Sequence, residues 1–98
     1  MIWHIVETDG NPTKPGVYLC ALIYSHEGKN LATIESRYFA DLDEDPSAAG
    51  WKMDDQPDHG LVWTEEIGSS PHEKVYAWQN LPPVSRIELP EGVIWVNP

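Results

Sequence analysis

The sequence predicts a mainly β fold, with α+β kept open: one small antiparallel sheet of about five or six short strands and at most one short helix. Three observations carry this. Nine Pro and seven Gly divide 98 residues into pieces too short for long helices. Most of the pieces between them are runs of β-branched and aromatic residues, which suit a pleated, half-buried surface. Finally, 41% of the chain is hydrophobic and five residues are Trp, enough bulky apolar area to offset the entropy of ordering one core but not two. Residues 1–98 are therefore read as a single small acidic domain.

Trp3 to Glu7 begins the fold as a short apolar-rich segment, and Asn11 to Gly16 is a turn, because Pro fixes φ and Gly tolerates positive φ. Val17 to Tyr24 reads as a strand. Val17, Leu19, Ala21 and Ile23 line one face and Tyr18, Cys20, Leu22 and Tyr24 the other; both are apolar, so it should be central and covered on both sides. Ser25 to Asn30 is a polar loop of hairpin length. Leu31 to Asp41 returns as a strand with Ile34, Ser36, Tyr38 and Ala40 on one face. Its other face, Thr33, Glu35, Arg37 and Phe39, is mixed and expected to be half exposed.

Asp41 to Gly50 is an acidic loop with room for a helical turn; the alternative place for a short helix is 65–73. Gly50 to Met53 is expected to be a short strand carrying Trp51, and Asp54 to Gly60 a second acidic loop. Leu61 to Thr64 and Lys74 to Gln79 read as strands, the latter with Val75 and Ala77 opposite Tyr76 and Trp78 and stopped by Leu81-Pro82-Pro83. The extension 85–98 reads as a closing hairpin, Ser85 to Leu89 against Val93 to Val96 across Pro90-Glu91-Gly92. The expected core includes Leu19, Ile23, Tyr38, Trp51 and Trp78.

The order of these segments carries a resemblance. Trp3 comes first, then Pro-x-x-Pro-Gly-Val-Tyr-Leu-Cys-Ala-Leu-Ile-Tyr (Pro12 to Tyr24), a strand ending Tyr38-Phe39-Ala40-Asp41, Gly50-Trp51, and Val75-Tyr76-Ala77-Trp78-Gln79-Asn80-Leu81-Pro82-Pro83. Over roughly residues 3 to 84 the chain resembles a family of short phage and prophage proteins of unknown function. It departs from that pattern at Ala77 to Asn80, where His-Trp-Met-Pro is usual, in a longer acidic insertion between Trp51 and Trp78, and in the tail from Ser85. The resemblance implies a phage-related origin and a small sheet, and it brings no catalytic residues with it.

The chemical motifs fail on their spacing. Asp41, Asp43 and Asp45 match the opening of a calcium loop, but Pro46 stands where that loop needs Gly and Lys52 where it needs a bidentate Glu. His72-Glu73 begins a zinc-protease motif whose second His is replaced by Tyr76. His4, His26, His59 and His72 lie in separate segments without ligand spacing. Cys20 sits mid-strand among apolar neighbours, the setting of a buried hydrophobe rather than a reactive thiolate, and a single Cys forms no intramolecular disulfide. No nucleophile elbow or phosphate loop is present. The expectation is a protein that is not an enzyme and needs no cofactor.

The charge points to a partner instead. Six Lys and Arg stand against sixteen Asp and Glu, a formal net charge of −10, and no run of basic residues exists, which disfavours direct nucleic-acid binding. No apolar run approaches the roughly 18–20 residues of a membrane span, and the N-terminus lacks a basic-then-apolar leader, so a cytoplasmic protein, monomeric or weakly dimeric, is expected. Eight of the sixteen acids fall between residues 41 and 65, where Lys52 is the only Lys or Arg. Asp41, Asp43, Asp45, Asp54, Asp55, Asp58 and Glu65 are the candidate surface for a basic host or phage protein, through general interaction or as an acidic inhibitor or DNA mimic. Four of the Trp are expected in the core. Trp63, flanked by Glu65, Glu66 and a polar loop, is the candidate exposed ring, whether for a partner or for stacking on a carbohydrate.

Overall fold

The computed structural model describes residues 3–66, 72–80 and 87–96. Within them, six strands form one sheet: β1 (His4–Ile5), β2 (Gly16–His26), β3 (Lys29–Asp41), β4 (Leu61–Trp63), β5 (Lys74–Gln79) and β6 (Val93–Trp95). The order across the sheet is β1-β5-β2-β3-β4, all antiparallel, and β6 adds to β3. The mainly β, antiparallel reading holds, with only short helical pieces.

β2 and β3 form the spine, paired from Gly16↔Phe39 to His26↔Lys29. The hairpin turns more tightly than the expected six-residue loop. Glu27 and Gly28 both take positive φ, 52° and 77°, which is the two-residue turn whose twist matches the flanking strands. That tight turn lets both strands run further than the sequence reading placed them.

The apolar character of both β2 faces is explained by what covers them. Tyr18, Cys20 and Leu22 pack with Phe39, Met53, Trp63 and Val75 on one side. Leu19 and Ala21 pack with Trp3 and Ala77 on the other, with Ile34, Ile87 and Trp95 against them. A third group, Ala40, Leu42, Ala48 and Val62, seals the far end of β3.

Four expectations are corrected. In β5 the pairing with β2 jumps from Ala21↔Ala77 to Leu22↔Val75. This bulge gives Tyr76 no opposite residue, so strict alternation breaks: Val75 and Trp78 pack with one face, Tyr76 and Ala77 with the other. The supposedly mixed face of β3 is also largely buried, at Thr33, Arg37 and Phe39. The segment expected as a strand through Trp51 is instead a 3-10 turn, Pro46–Trp51, and a second helical piece, the single turn α1 (Val6–Asp9), follows β1. Gly10 closes α1 at φ 79°, its N–H donating to the Val6 carbonyl while its own carbonyl accepts from Trp78 Nε1.

The fourth correction is the closing hairpin. β6 pairs in parallel with β3, Asn30↔Val93 to Ala32↔Trp95, and the described part of the segment before it, 87–90, is not a strand. β5 and β6 lie on opposite sides of the β2–β3 pair. β5 and β3 are both antiparallel to β2 and so run the same way, and β6, parallel to β3, shares that direction. Ile87 packs with the Trp3 cluster. Leu81-Pro82-Pro83 and Ser85-Arg86 lie outside the described residues.

Candidate functional site

The two acidic loops meet because β3 and β4 are neighbours. Phe39↔Trp63, Ala40↔Val62 and Asp41↔Leu61 pair, and the Leu42 N–H donates to the Gly60 carbonyl, tying the start of the first loop to the end of the second. Asp41, half-buried, accepts the Asp43 N–H on its Oδ1. Asp43 is exposed, and Asp45 Oδ1 accepts from Ser47 Oγ at 2.6 Å. In the second loop Asp54 lies 2.8 Å from His72 Nδ1, Asp55 accepts from Gln56 Nε2, and the fully exposed Asp58 faces Lys52 Nζ at 3.3 Å. Glu65 joins through its N–H, which donates to the Trp51 carbonyl at 2.7 Å. The seven predicted acids thus belong to loops that adjoin around β4.

Trp63 does not belong with them. It is 1% exposed, its ring against Phe39 and Tyr18 and its Nε1 donating to Asn11 Oδ1. Opposite Phe39 in the β3–β4 pair, it shares that residue's covered face. The exposed ring is Trp51, 49% accessible at the end of the 3-10 turn, and Tyr38, also expected in the core, is 39% accessible. The signal for Trp51 was present in the sequence: Pro46 at the start of Pro-Ser-Ala-Ala-Gly favours a helical first turn over a strand.

Tyr38 and Trp51 wall a groove of about 350 Å³ whose remaining lining includes Asp45, Ser47, Thr64, Glu65 and Glu66. Its geometry is fixed from behind. The Tyr38 carbonyl accepts both the Thr64 N–H and the Thr64 hydroxyl, at 3.1 and 2.8 Å, and the Lys52↔Thr64 bridge fastens the end of the turn to the end of β4. Val17, 54% exposed and paired with Tyr38, continues the apolar surface along the sheet. A second cleft, about 500 Å³, has Glu7, Glu91, Lys74 and His72 in its walls and so mixes both signs of charge.

Sequence reasoning missed one buried cluster. Arg37 and Glu73 are each 2% exposed and form a two-pronged pair, Nε donating to Oε1 at 3.0 Å and Nη2 to Oε2 at 3.3 Å. Arg37 Nη1 also donates to the Ser36 carbonyl, and Glu35 and Glu66 each approach the guanidinium to 3.7 Å. Burial by itself lowers the Arg37 pKa, but the hydrogen bond and charge of Glu73, helped by Glu35 and Glu66, outweigh it, so the net shift is upward. Nearby Cys20 is also shifted upward, the wrong direction for a nucleophile: burial raises its thiol far above the ordinary range, with Arg37 opposing only in part. The cluster is built to hold a charge pair in the core. No composition or spacing signal links positions 37 and 73, because only the β3–β2–β5 pairing brings them together.

Among the described residues no group of three or more His, Cys, Asp or Glu is placed to hold a metal ion, and no helix is long and apolar enough to cross a membrane. No family model, curated protein or solved structure matches the chain.

Proposed function

We propose that this is a small acidic protein-interaction module, of phage or prophage origin on the strength of its sequence resemblance, that acts in the cytoplasm by binding a basic partner protein without catalysis or cofactor. The single observation that carries this reading is the joining of two acidic loops beside an exposed aromatic groove. Eight acids between residues 41 and 65 give a negative field that speeds encounter with a positive surface and decays over roughly 8–10 Å at physiological salt. Exposed Trp51, Tyr38 and Val17 supply what the field lacks, apolar area that holds a partner once it has arrived. A host protein that normally binds nucleic acid fits this description, and the module would then act as an acidic inhibitor. A second reading, carbohydrate binding, is favoured by one feature: a half-exposed Trp beside carboxylates.

Capture from host lysate by wild type and by a variant with Asp43, Asp45, Asp54 and Asp55 changed to Asn tests the proposal. The expected result is a basic protein whose association with the variant is slower by about tenfold or more and whose capture by wild type falls steeply with salt. Capture of the same proteins by both, at the same salt tolerance, reduces the acidic face to a solubility device.

A further inference from the structure

Resting on that reading, we infer that the Tyr38–Trp51 groove is the seat of one arginine side chain of the basic partner. The hydrogen-bonding inventory of the groove decides the chemistry. Its carboxylates among the described residues, Asp45, Glu65 and Glu66, only accept. Although Asp45 takes a bond from Ser47 and Glu66 lies 3.7 Å from Arg37, each carboxylate has further lone pairs to offer. Its two aliphatic hydroxyls already donate within the protein, Ser47 to Asp45 and Thr64 to the Tyr38 carbonyl. Among the described lining side chains, donors are left at the Tyr38 phenol and the Trp51 indole edge. A ligand that suits these walls brings many donors, no acceptors and positive charge. Guanidinium meets all three conditions, and its plane also stacks on an indole face.

Among the described residues no Lys or Arg lines the groove, and Arg37 meets Glu66 from within the core at 3.7 Å. A sugar meets the aromatic wall equally well, but its hydroxyls must accept as well as donate, and a wall of carboxylates serves that half of the exchange poorly. The same chain shows how a guanidinium is held by carboxylates at Arg37, which Glu73 grips with two hydrogen bonds. The walls are also positioned in advance. The hydrogen bond from the Glu65 N–H to the Trp51 carbonyl and the two that Thr64 donates to the Tyr38 carbonyl keep aromatic and acidic residues adjacent before any ligand arrives.

The test is a nuclear magnetic resonance titration of the full chain with N-acetyl-arginine amide, with its neutral isostere N-acetyl-citrulline amide, and with maltotriose. Arginine amide should move the Trp51 indole and the Glu65 and Glu66 amides saturably, with a dissociation constant on the order of millimolar. Citrulline amide should bind at least about tenfold more weakly, and Trp51→Leu should cost at least about tenfold while Trp51→Phe retains part of the response. A variant carrying Glu27→Gln and Glu88→Gln, exposed acids outside both the groove lining and the two acidic loops, should keep the shifts. Shifts spread over residues 41–58 without Trp51, equal binding of citrulline amide, or saturable maltotriose binding in the groove would each overturn the arginine seat. Salt-sensitive capture of a basic partner that survives Trp51→Leu would sink this inference alone, whereas loss of that salt sensitivity would sink the acidic-face reading.

Discussion

Arg37 and Glu73 are both withdrawn from water, and each supplies the opposite charge and the hydrogen bonds that offset the other's burial. Changing Glu73 to Gln leaves a guanidinium facing Glu35 and Glu66 at 3.7 Å, with its closest ionic partner gone. The expected loss is about 3 kcal/mol of folding stability. Replacing both partners, Arg37→Met with Glu73→Leu, removes the desolvated charges together and should recover most of it. Urea unfolding of the three proteins checks this, and a double variant no more stable than Glu73→Gln alone would show that the pair shapes the core beyond its charges. At this scale the sequence is least legible. Cys20 was readable as a buried thiol because its own strand declares it apolar. Trp63 and Trp51 exchanged roles because flanking acids say little about a ring's exposure. What decides is the residue across the strand pair, Phe39 for Trp63, and that pairing is not local.

Strands were legible in proportion to how much of their burial is local. β5 was placed at Lys74–Gln79 as expected, and β2 was identified as central from its two apolar faces. β6 was found but its direction was not, because a three-residue strand carries no mark of whether its neighbour is the preceding segment or one sixty residues back. Hydrogen exchange should follow this hierarchy. Amides of Leu19 to Ile23, flanked by β3 on one side and β5 on the other, are expected to exchange slowest. Those of β6, held along three residues at the edge of β3, should exchange at least about a hundredfold faster. Equal protection of the two would mean that the sheet opens as one unit and that β6 is tied down by more than its pairing.

Across the whole molecule the dominant fact is charge. A net charge of −10 on 98 residues repels itself in the folded state, and the two loops around β4 concentrate that repulsion. The local cation answers little of it: Lys52, itself partly buried, meets an exposed Asp58, and an ion pair with one partner in water contributes at most about 1 kcal/mol. Repulsion among exposed charges is screened by salt, whereas the buried Arg37–Glu73 attraction is screened far less. Raising ionic strength should therefore stabilise this protein. Between about 0.01 M and 0.15 M salt the Debye length shrinks from roughly 30 to 8 Å, and recovery of about 1 kcal/mol would lift the unfolding midpoint by about 4–8 °C. The variant Asp43→Asn, Glu44→Gln, Asp55→Asn, changed only at exposed positions, should begin with a higher midpoint and gain less from salt. A midpoint that falls with salt in the wild type would mean that surface ion pairs outweigh repulsion. The negative field invoked for partner capture would then be largely neutralised within the molecule itself.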